Sequence, residues 1–227
     1  IKEKTSSMMN ILFVSLGCDK NLVDSEKMLG MLQEKGYTFT DDEAEADVVV
    51  VNTCCFIGDA KEESINTLLQ MGELKDSGQV KALIAAGCLA QRYREEIQKE
   101  IPQVDAIIGT TAIDEIVAAL EEILAGQKQN HYEDINAAPV TETNRVVTTG
   151  GHFAYLKIAE GCDKHCTYCI IPKVRGNYRS VPKESLLKEA TELADKGVRE
   201  LILVAQETTL YGVCLLYTSD AADEARS

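Results

Sequence analysis

Cys162, Cys166 and Cys169 lie within the short stretch EGCDKHCTYCIIPKVRG. Their Cys-x3-Cys-x2-Cys spacing offers three thiolates on one compact loop, one fewer than the four ligands of a closed structural zinc site. His165 could complete a zinc shell, but it lies between two of the cysteines, where closing the tetrahedron would be strained. A four-iron cluster held by three cysteines instead keeps one iron open to a substrate or cofactor. The loop could hold zinc, an iron–sulfur cluster or no metal, and the number of thiols favours the cluster.

Three further cysteines each follow a predicted strand. The apolar runs ILFVSLG, DVVVVNT and KALIAAG are of strand type and are separated by segments with helical periodicity, which predicts a parallel sheet. The carboxyl edge of such a sheet gathers the loops that bind ligands, so thiols far apart in sequence can meet there. Alternatively, they pack as small buried hydrophobes. Cys55, next to one of them, is expected to point elsewhere. The three candidates are Cys18, Cys54 and Cys88.

The elements that position these thiols form a first domain over residues 9–126. VDAIIG predicts a fourth strand, and VDSEKMLGMLQEKG predicts a helix with Asp24 or Ser25 as its N-cap and Gly36 at its end. TAIDEIVAALEEILAG predicts a closing helix that ends at Gly126. The apolar face of the first helix is predicted to consist of Met28, Met31 and Leu32.

A second α/β unit is predicted over residues 151–212. FAYLKIAEG and VRELILVAQ have the pattern of strands, and VPKESLLKEATELADKG between them has the pattern of a helix. The segment 127–150 is polar and lacks periodicity, so it is predicted to be a linker. The fold class expected from the residues is therefore α/β.

Composition excludes several protein classes. The 227 residues are 45% hydrophobic but contain no apolar run long enough for a transmembrane helix, and no signal peptide is indicated, so a cytoplasmic location is predicted. Eight cysteines without an export signal indicate reduced, metal-binding or catalytic thiols. The net charge of −14 argues against a dedicated nucleic-acid-binding protein and leaves a basic protein partner possible.

The cysteine motifs together resemble one family. CDKHCTYCIIPKVRG is similar to the cluster loop of radical S-adenosylmethionine (SAM) enzymes in the form used by the methylthiotransferases. SLGCDKNLVDSE, VNTCCFI and AAGCLAQRY resemble the cysteine motifs of the family's first domain, and GVRELILVAQETTLYG resembles the strand after the first barrel helix. The resemblance implies a parallel-sheet methylthiotransferase domain followed by the start of a radical SAM partial (β/α) barrel. It further implies a SAM-binding 4Fe-4S cluster on Cys162, Cys166 and Cys169, and an auxiliary 4Fe-4S cluster on Cys18, Cys54 and Cys88.

Two motifs indicate a branch of this family. SLGCDKNLVDSE, with Lys20 and Asn21, resembles the corresponding motif of the branch that modifies ribosomal small-subunit protein twelve. The tRNA branch typically has Gln and Met before that Asn. The run QETT points the same way. Asp19 stands where Pro is common and Cys55 where a small residue is usual, but neither change removes a ligand.

The resemblance to the ribosomal-protein branch implies a reaction and partners. A radical reaction adds a methylthio group to the β-carbon of an aspartate of ribosomal protein twelve, with an electron donor such as flavodoxin or ferredoxin. A monomer that acts away from membranes is expected, and direct contact with RNA is left open. A tRNA adenosine methylthiotransferase and a non-enzymatic Cys-rich metal-binding module remain the alternatives.

Four further residues near the thiols are weaker candidates. By family analogy, Tyr168 packs on the adenine of the cofactor, or it is an ordinary core aromatic. Gln206 and Thr208 end a strand at the same edge and are candidates for touching the cofactor. Arg175 is expected to meet an anionic partner or to pair with a surface carboxylate.

The sequence changes character after Gly212. CLLYTSDAADE, which starts at Cys214, matches the translation of a transposase-end adapter used in sequencing libraries. Residues 213–227 are therefore predicted to be a non-native tail, and Cys214 is discounted as a ligand. Because the family continues into more barrel strands, the resemblance implies a radical SAM domain that is truncated at its C-terminal end and a chain that is inactive as given.

Overall fold

A computed structural model describes residues 9–141 and 144–213 of the chain. Its first domain contains a five-stranded sheet in which all neighbouring strands are parallel. The four predicted strands are confirmed, and a two-residue strand was missed because it carries no periodic signal. The strands are β1 (Asn10–Ser15), β2 (Thr38–Phe39), β3 (Val48–Thr53), β4 (Ala82–Ala86) and β5 (Ala106–Ile108), in the spatial order β2-β1-β3-β4-β5.

Helices cover both faces of this sheet, as the alternation of strands and helices predicted. Since successive strand residues point to opposite faces, Val49 and Val51 of the central strand pack with one hydrophobic cluster, and Val48 and Val50 pack with another. The first cluster lies under α2 (Gly58–Asp76), α3 (Gly87–Arg92) and α4 (Arg94–Glu100), and the second lies under α1 (Asp19–Glu34) and α5 (Ile116–Leu124).

The predicted N-cap of the first helix is wrong. α1 begins at Asp19, and Cys18 occupies the N-cap position without a capping side-chain hydrogen bond. Asp24 and Ser25 lie inside the helix and are buried, because their side chains bond to groups from elsewhere in the fold rather than to the helix N-terminus. The predicted apolar face is confirmed, since one cluster contains Met28 and Leu32 and packs against Met31.

The second domain, from Phe153 onwards, contains a parallel strand pair with a helical crossover. β6 and β9 pair in register from Phe153 opposite Glu200 to Lys157 opposite Val204. This is the beginning of a (β/α) unit, as the predicted strands and helix required. Its elements are β6 (Phe153–Lys157), β7 (Ala159–Glu160), α6 (Ile171–Arg175), β8 (Arg179–Ser180), α7 (Lys183–Asp195) and β9 (Glu200–Val204), with β7 and β8 antiparallel.

The described part of segment 127–150 contains no helix, and it meets the edge of the sheet at β5 through a bridge between Ile108 and His131 and a hydrogen bond from the N–H of Ile107 to Oδ1 of Asn130 at 3.0 Å. It packs on both domains, because Tyr132 lies against a core cluster of the first domain and the buried Arg145 donates to the carbonyl of Tyr155 in β6 at 2.6 Å. The predicted tail from Cys214 lies outside the described residues. Within the described ranges, no helix is both long enough and apolar enough to cross a membrane.

Candidate metal centre

The predicted cysteines of both domains line a single cavity of about 890 Å³. Cys18, Cys54 and Cys88, the first trio, reach it from the carboxyl ends of β1, β3 and β4. Cys162, Cys166 and Cys169, the second trio, reach it from the loop between β7 and α6. All six are free thiols. The fold therefore brings together two sets of thiols that belong to different domains.

Two glycines allow the loops of the first trio to approach one another. Gly17 has φ +95°, and a Cβ there would lie 2.6 Å from Cβ and 2.8 Å from Sγ of Cys54. Gly87 has φ +88°, and a Cβ there would lie 2.3 Å from Oδ1 of Asn52. Only glycine adopts this backbone without strain and leaves this space free.

A buried amide, Asn21, contacts all three loops of the first trio. Its Nδ2 donates to the carbonyl oxygens of Leu16 at 2.9 Å and Thr53 at 3.0 Å, which lie just before the loops of Cys18 and Cys54. The thiol of Cys88 donates weakly to its Oδ1 at 3.8 Å. In the sequence, Asn21 was visible only as a residue that distinguishes branches of the family, and its positioning role was not predicted.

The hydroxyl groups of Ser64 and Thr53 hold the backbone of the same loops in place. Ser64 of α2 accepts from the backbone N–H of Cys54 and donates to its carbonyl oxygen, both at 2.9 Å. Thr53 donates to the carbonyl of Ala86 at 2.5 Å and accepts from the N–H of Ala90 at 3.2 Å, which ties the ends of β3 and β4 together. The signal in the sequence was the polar pair Asn-Thr at the end of an otherwise apolar strand.

The second trio lies on a loop with few constraints. Backbone bonds join the N–H of Cys162 to the carbonyl of Gly176 at 3.0 Å and the N–H of Cys169 to that of Cys166 at 2.9 Å. His165 has φ +42°, is exposed and does not line the cavity. No three Cys, His, Asp or Glu side chains of the described residues are grouped for a single metal ion. A four-iron cluster spreads its cysteines over separate irons, so it accepts thiols that are further apart.

Burial distinguishes Cys54 and Cys88 from the other four thiols, since Cys18 and Cys166 are exposed and Cys162 and Cys169 are partly buried. Cys54 and Cys88 are 5% and 7% exposed, whereas Cys166 is exposed. Burial raises the pKa of the Cys88 thiol to about 11, although the charge of Arg175 acts in the opposite direction. A metal that binds here must therefore displace a thiol proton.

The weaker candidates occupy different places. Gln206 lines the cavity, and its Oε1 atom is buried without a hydrogen-bond partner among the described residues. Tyr168 lies at the rim with 90% of its surface exposed. Thr208 is exposed and does not line the cavity. Lys164, which lines the cavity, pairs with Glu207 and lowers the pKa of that carboxyl to about 2 together with Thr209.

Arg175 is buried, and its partners are not on the surface. Its guanidinium donates to Oδ2 of Asp24 at 2.7 Å, to Oε1 of Glu160 at 3.1 Å, and to Oδ1 of Asn21. It also lines the cavity. The expectation of a surface carboxylate is therefore replaced by two buried carboxylates, one from each domain.

Two buried charge clusters join the domains. Each contains two acidic and two basic side chains, so each is neutral, as burial of ion pairs requires. These clusters were not predicted from the sequence, because a run of charges such as DSEK in a helix usually indicates a solvated face. The Arg175 quartet consists of Asp24, Lys157, Glu160 and Arg175, and the Arg145 quartet of Glu26, Lys27, Arg145 and Glu189.

The chemistry of these residues fits an iron–sulfur site with an adjoining ligand pocket. Six free thiols line one cavity, and the unpaired Oε1 of Gln206 offers an acceptor beside them. A four-iron cluster held by only three thiols would keep one iron free for an additional ligand, and each trio supplies three.

Comparisons with known proteins agree with this architecture. Residues 10–109 match the model described as "Uncharacterized protein family UPF0004", and residues 156–225 match the Radical SAM superfamily.

Among curated proteins, the chain is similar to ribosomal protein uS12 methylthiotransferases named RimO. It is 61% identical to the one of Lachnoclostridium phytofermentans over 91% of this chain and 47% of that protein. It is 50% identical to that of Clostridioides difficile over 90% of this chain and 46% of that protein. The chain thus spans about half the length of the curated relatives it matches. The resemblance to the radical SAM methylthiotransferase family, and within it to the ribosomal-protein branch, is confirmed.

Proposed function

We propose that this chain is part of a radical SAM methylthiotransferase that adds a methylthio group to the β-carbon of an aspartate of ribosomal protein uS12. The observation that carries the proposal is the convergence of both trios on one cavity. The names of the relatives support both the substrate and the methylthiotransferase activity.

The proposal assigns a 4Fe-4S cluster to each trio. The second trio holds the cluster that binds SAM, and the first trio holds the auxiliary cluster. When bound, the clusters and SAM supply the one-electron and radical chemistry, which amino-acid side chains cannot supply. The protein orients these groups and keeps water and stray hydrogen donors away from them.

The side chains around the cavity have roles in binding SAM. The unpaired Oε1 of Gln206 accepts a hydrogen bond from the cofactor, and Tyr168, exposed at the rim, packs on its adenine. Thr208, in the turn after β9, does not line the cavity, and its assignment to SAM rests on the family resemblance alone. Phe56 and Ile57, exposed apolar residues of the cavity wall, limit the access of water.

The remaining assignments complete the proposal. Flavodoxin or ferredoxin donates electrons, the enzyme is a cytoplasmic monomer, and contact with RNA is left open. The domains comprise residues 9–126 and 151–212, joined by the linker 127–150 and followed by the tail 213–227. The chain alone does not complete a turnover, because the relatives contain about as much sequence again.

Metal content tests the cofactors. After anaerobic reconstitution of the chain, two clusters require about eight irons with matching sulfide, and a variant with Cys162, Cys166 and Cys169 changed to Ala should retain about four. The matched variant with Cys18, Cys54 and Cys88 changed to Ala should also retain about four. Bound zinc, or a folded triple variant that keeps all of its iron, would favour the simple metal-binding module.

The substrate is tested with a complete enzyme that contains this sequence. It is incubated with SAM, a reductant and either purified uS12 or tRNA, and the products are analysed by mass spectrometry. A methylthio group on an aspartate of uS12 is expected. Modification of a tRNA adenosine with unmodified uS12 would refute the substrate and favour the tRNA branch.

A further inference from the structure

The first trio belongs to the first domain in sequence, but the second domain also contributes to its surroundings. Arg175 ends α6, the helix that follows the second trio, and it lines the same cavity as Cys88. Its guanidinium donates to Oδ1 of Asn21, the atom that lies 3.8 Å from Sγ of Cys88. A cation from one domain thus stands beside the thiols of the other.

Arg175 differs from the other cations of this cavity. Lys20 is half-buried and Lys164 is exposed, whereas Arg175 is only 2% exposed. The carboxylates that line the cavity, Asp59 and Glu63, are exposed as well. Solvent screens exposed charges far more than buried ones. Among the described residues, the guanidinium of Arg175 is therefore the cavity-lining charge that acts most strongly on a group held by the first trio.

Three thiolates give such a group an excess of negative charge, and reduction adds one more. Net charge and hydrogen bonds near an iron–sulfur cluster are among the factors that set its reduction potential. A buried cation stabilises the reduced form more than the oxidised form, because the attraction grows with the negative charge of the cluster.

We propose that Arg175 is a positioning residue that the second domain contributes to the first trio, where it raises the reduction potential of the bound cluster and, through Asn21, holds the loops of the trio in place. The inference rests on the proposed function, since it requires a cluster on the first trio. It implies that the first-domain site is completed only when the second domain is docked.

Substitutions of a basic and of an acidic member of the Arg175 quartet should shift the reduction potential in opposite directions. Removal of Arg175 deletes a positive charge, so Arg175→Met should lower the potential. Glu160→Gln deletes a negative charge from the same quartet and should raise it. Arg175→Lys keeps the charge but loses the fork that bonds to Asn21, and its potential should stay closer to the parent value. A purely structural role would shift the first two variants in the same direction or leave both unchanged.

Arg145 supplies the matched control. It is also a buried cation between the domains, at 3% exposure, but it does not line the cavity. Arg145→Met should weaken domain docking, seen as faster limited proteolysis, without changing the potential. The control separates the charge of Arg175 from the general effect of loosening the domains.

The experiment uses the full chain with Cys162, Cys166 and Cys169 changed to Ala, so that the first trio alone holds iron. After reconstitution, a redox titration followed by the absorption of the cluster gives the midpoint potential of each variant. Opposite shifts for Arg175→Met and Glu160→Gln, with none for Arg145→Met, are expected. If Arg175→Met fails to fold, the midpoint potential of Glu160→Gln still tests the inference: an upward shift supports it, and no shift or a downward shift contradicts it.

The outcomes separate this inference from the proposed function. A loaded chain whose potential is unchanged in both quartet variants, or moves in one direction, overturns the inference alone. A background chain that binds no iron removes the auxiliary cluster from the proposed function and this inference with it.

Discussion

The two trios reach one cavity by different routes. The thiols of the first trio come from the ends of three parallel strands, where glycines, Asn21 and Ser64 fix their loops. The thiols of the second trio come from one irregular loop, where their close sequence spacing and two backbone hydrogen bonds keep them together. Cys54 and Cys88 are buried, and Cys166 is exposed.

The same ligand type, a cysteine thiol, is therefore positioned by tertiary packing in one trio and by local sequence in the other. A site on a sheet edge takes its geometry from packing, so changes in the scaffold should disturb it. A site on a local loop takes its geometry from sequence spacing and remains open to ligands until one binds. We therefore expect the first trio to be sensitive to substitutions that leave the second trio unchanged.

Thiol alkylation of the metal-free chain should show the largest contrast. Cys166 should react with iodoacetamide on the order of a thousandfold faster than Cys54 and Cys88, because the buried thiols become accessible only when the structure opens. The raised pKa of Cys88 slows its reaction further, since the thiolate is the nucleophile. Peptide mass spectrometry over a time course measures each rate.

Two internal controls accompany the alkylation experiment. Cys55 is buried at 3% exposure and should be protected like its neighbour. Cys18 belongs to the first trio but is exposed, so it should react rapidly. Equal rates for Cys54 and Cys166 in native buffer would show that the sheet edge does not protect the first trio.

The two trios also differ from the charge quartets in how well they could be predicted from the sequence. The second trio was predictable from spacing, and the first from the repeated occurrence of cysteine after a strand. The quartets were not predictable, because their members are distant in sequence and a charge such as Asp24 has no periodic signal for burial. Asn21 was visible as a motif residue, but its contacts with three loops depend on the register of the sheet.

A substitution at Asp24 tests the ion pairs that join the two domains. It pairs with Lys157 and Arg175 of the second domain, so Asp24→Asn leaves buried charge uncompensated and should lower the free energy of unfolding by about 3 kcal/mol at pH 7. Urea unfolding of both chains measures the difference. Asp41→Asn, at an exposed site, should change it by less than about 0.5 kcal/mol.

The same pair of chains gives a pH dependence with a defined sign. Although burial opposes it, the charges of Lys157 and Arg175 lower the pKa of Asp24 below 3.8. The stabilisation is therefore present above pH 3.8 and is lost as the pH falls through the lowered pKa. The difference between Asp24→Asn and the parent should stay constant from pH 7 to 5 and shrink only below pH 3.8. A difference that shrinks well above that pH would contradict the pairing.

Gly17 tests the close approach of two loops of the first trio. Gly17→Ala should destabilise the chain by about 2 kcal/mol more than Gly36→Ala, because only the first places a Cβ against Cys54. Both glycines have φ near +90°, and no atom lies within 4 Å of a Cβ at Gly36, so Gly36→Ala reports the backbone cost alone. Urea unfolding compares them, and equal losses would mean that the loops have room to separate.

Ser64 should give the smallest effect and the most local one. Its hydroxyl satisfies both the N–H and the carbonyl of Cys54, so Ser64→Ala should cost about 1 kcal/mol and leave both groups without that partner. Ser77→Ala removes an exposed hydroxyl that bonds a helix carbonyl, and it should cost less than about 0.5 kcal/mol. In the alkylation assay, Ser64→Ala should speed the reaction of Cys54 while Cys166 keeps its rate, because the hydroxyl holds one loop of the first trio and touches nothing in the second. If both thiols reacted faster, Ser64 would stabilise the whole fold rather than the position of one ligand, and the first trio would not be fixed loop by loop.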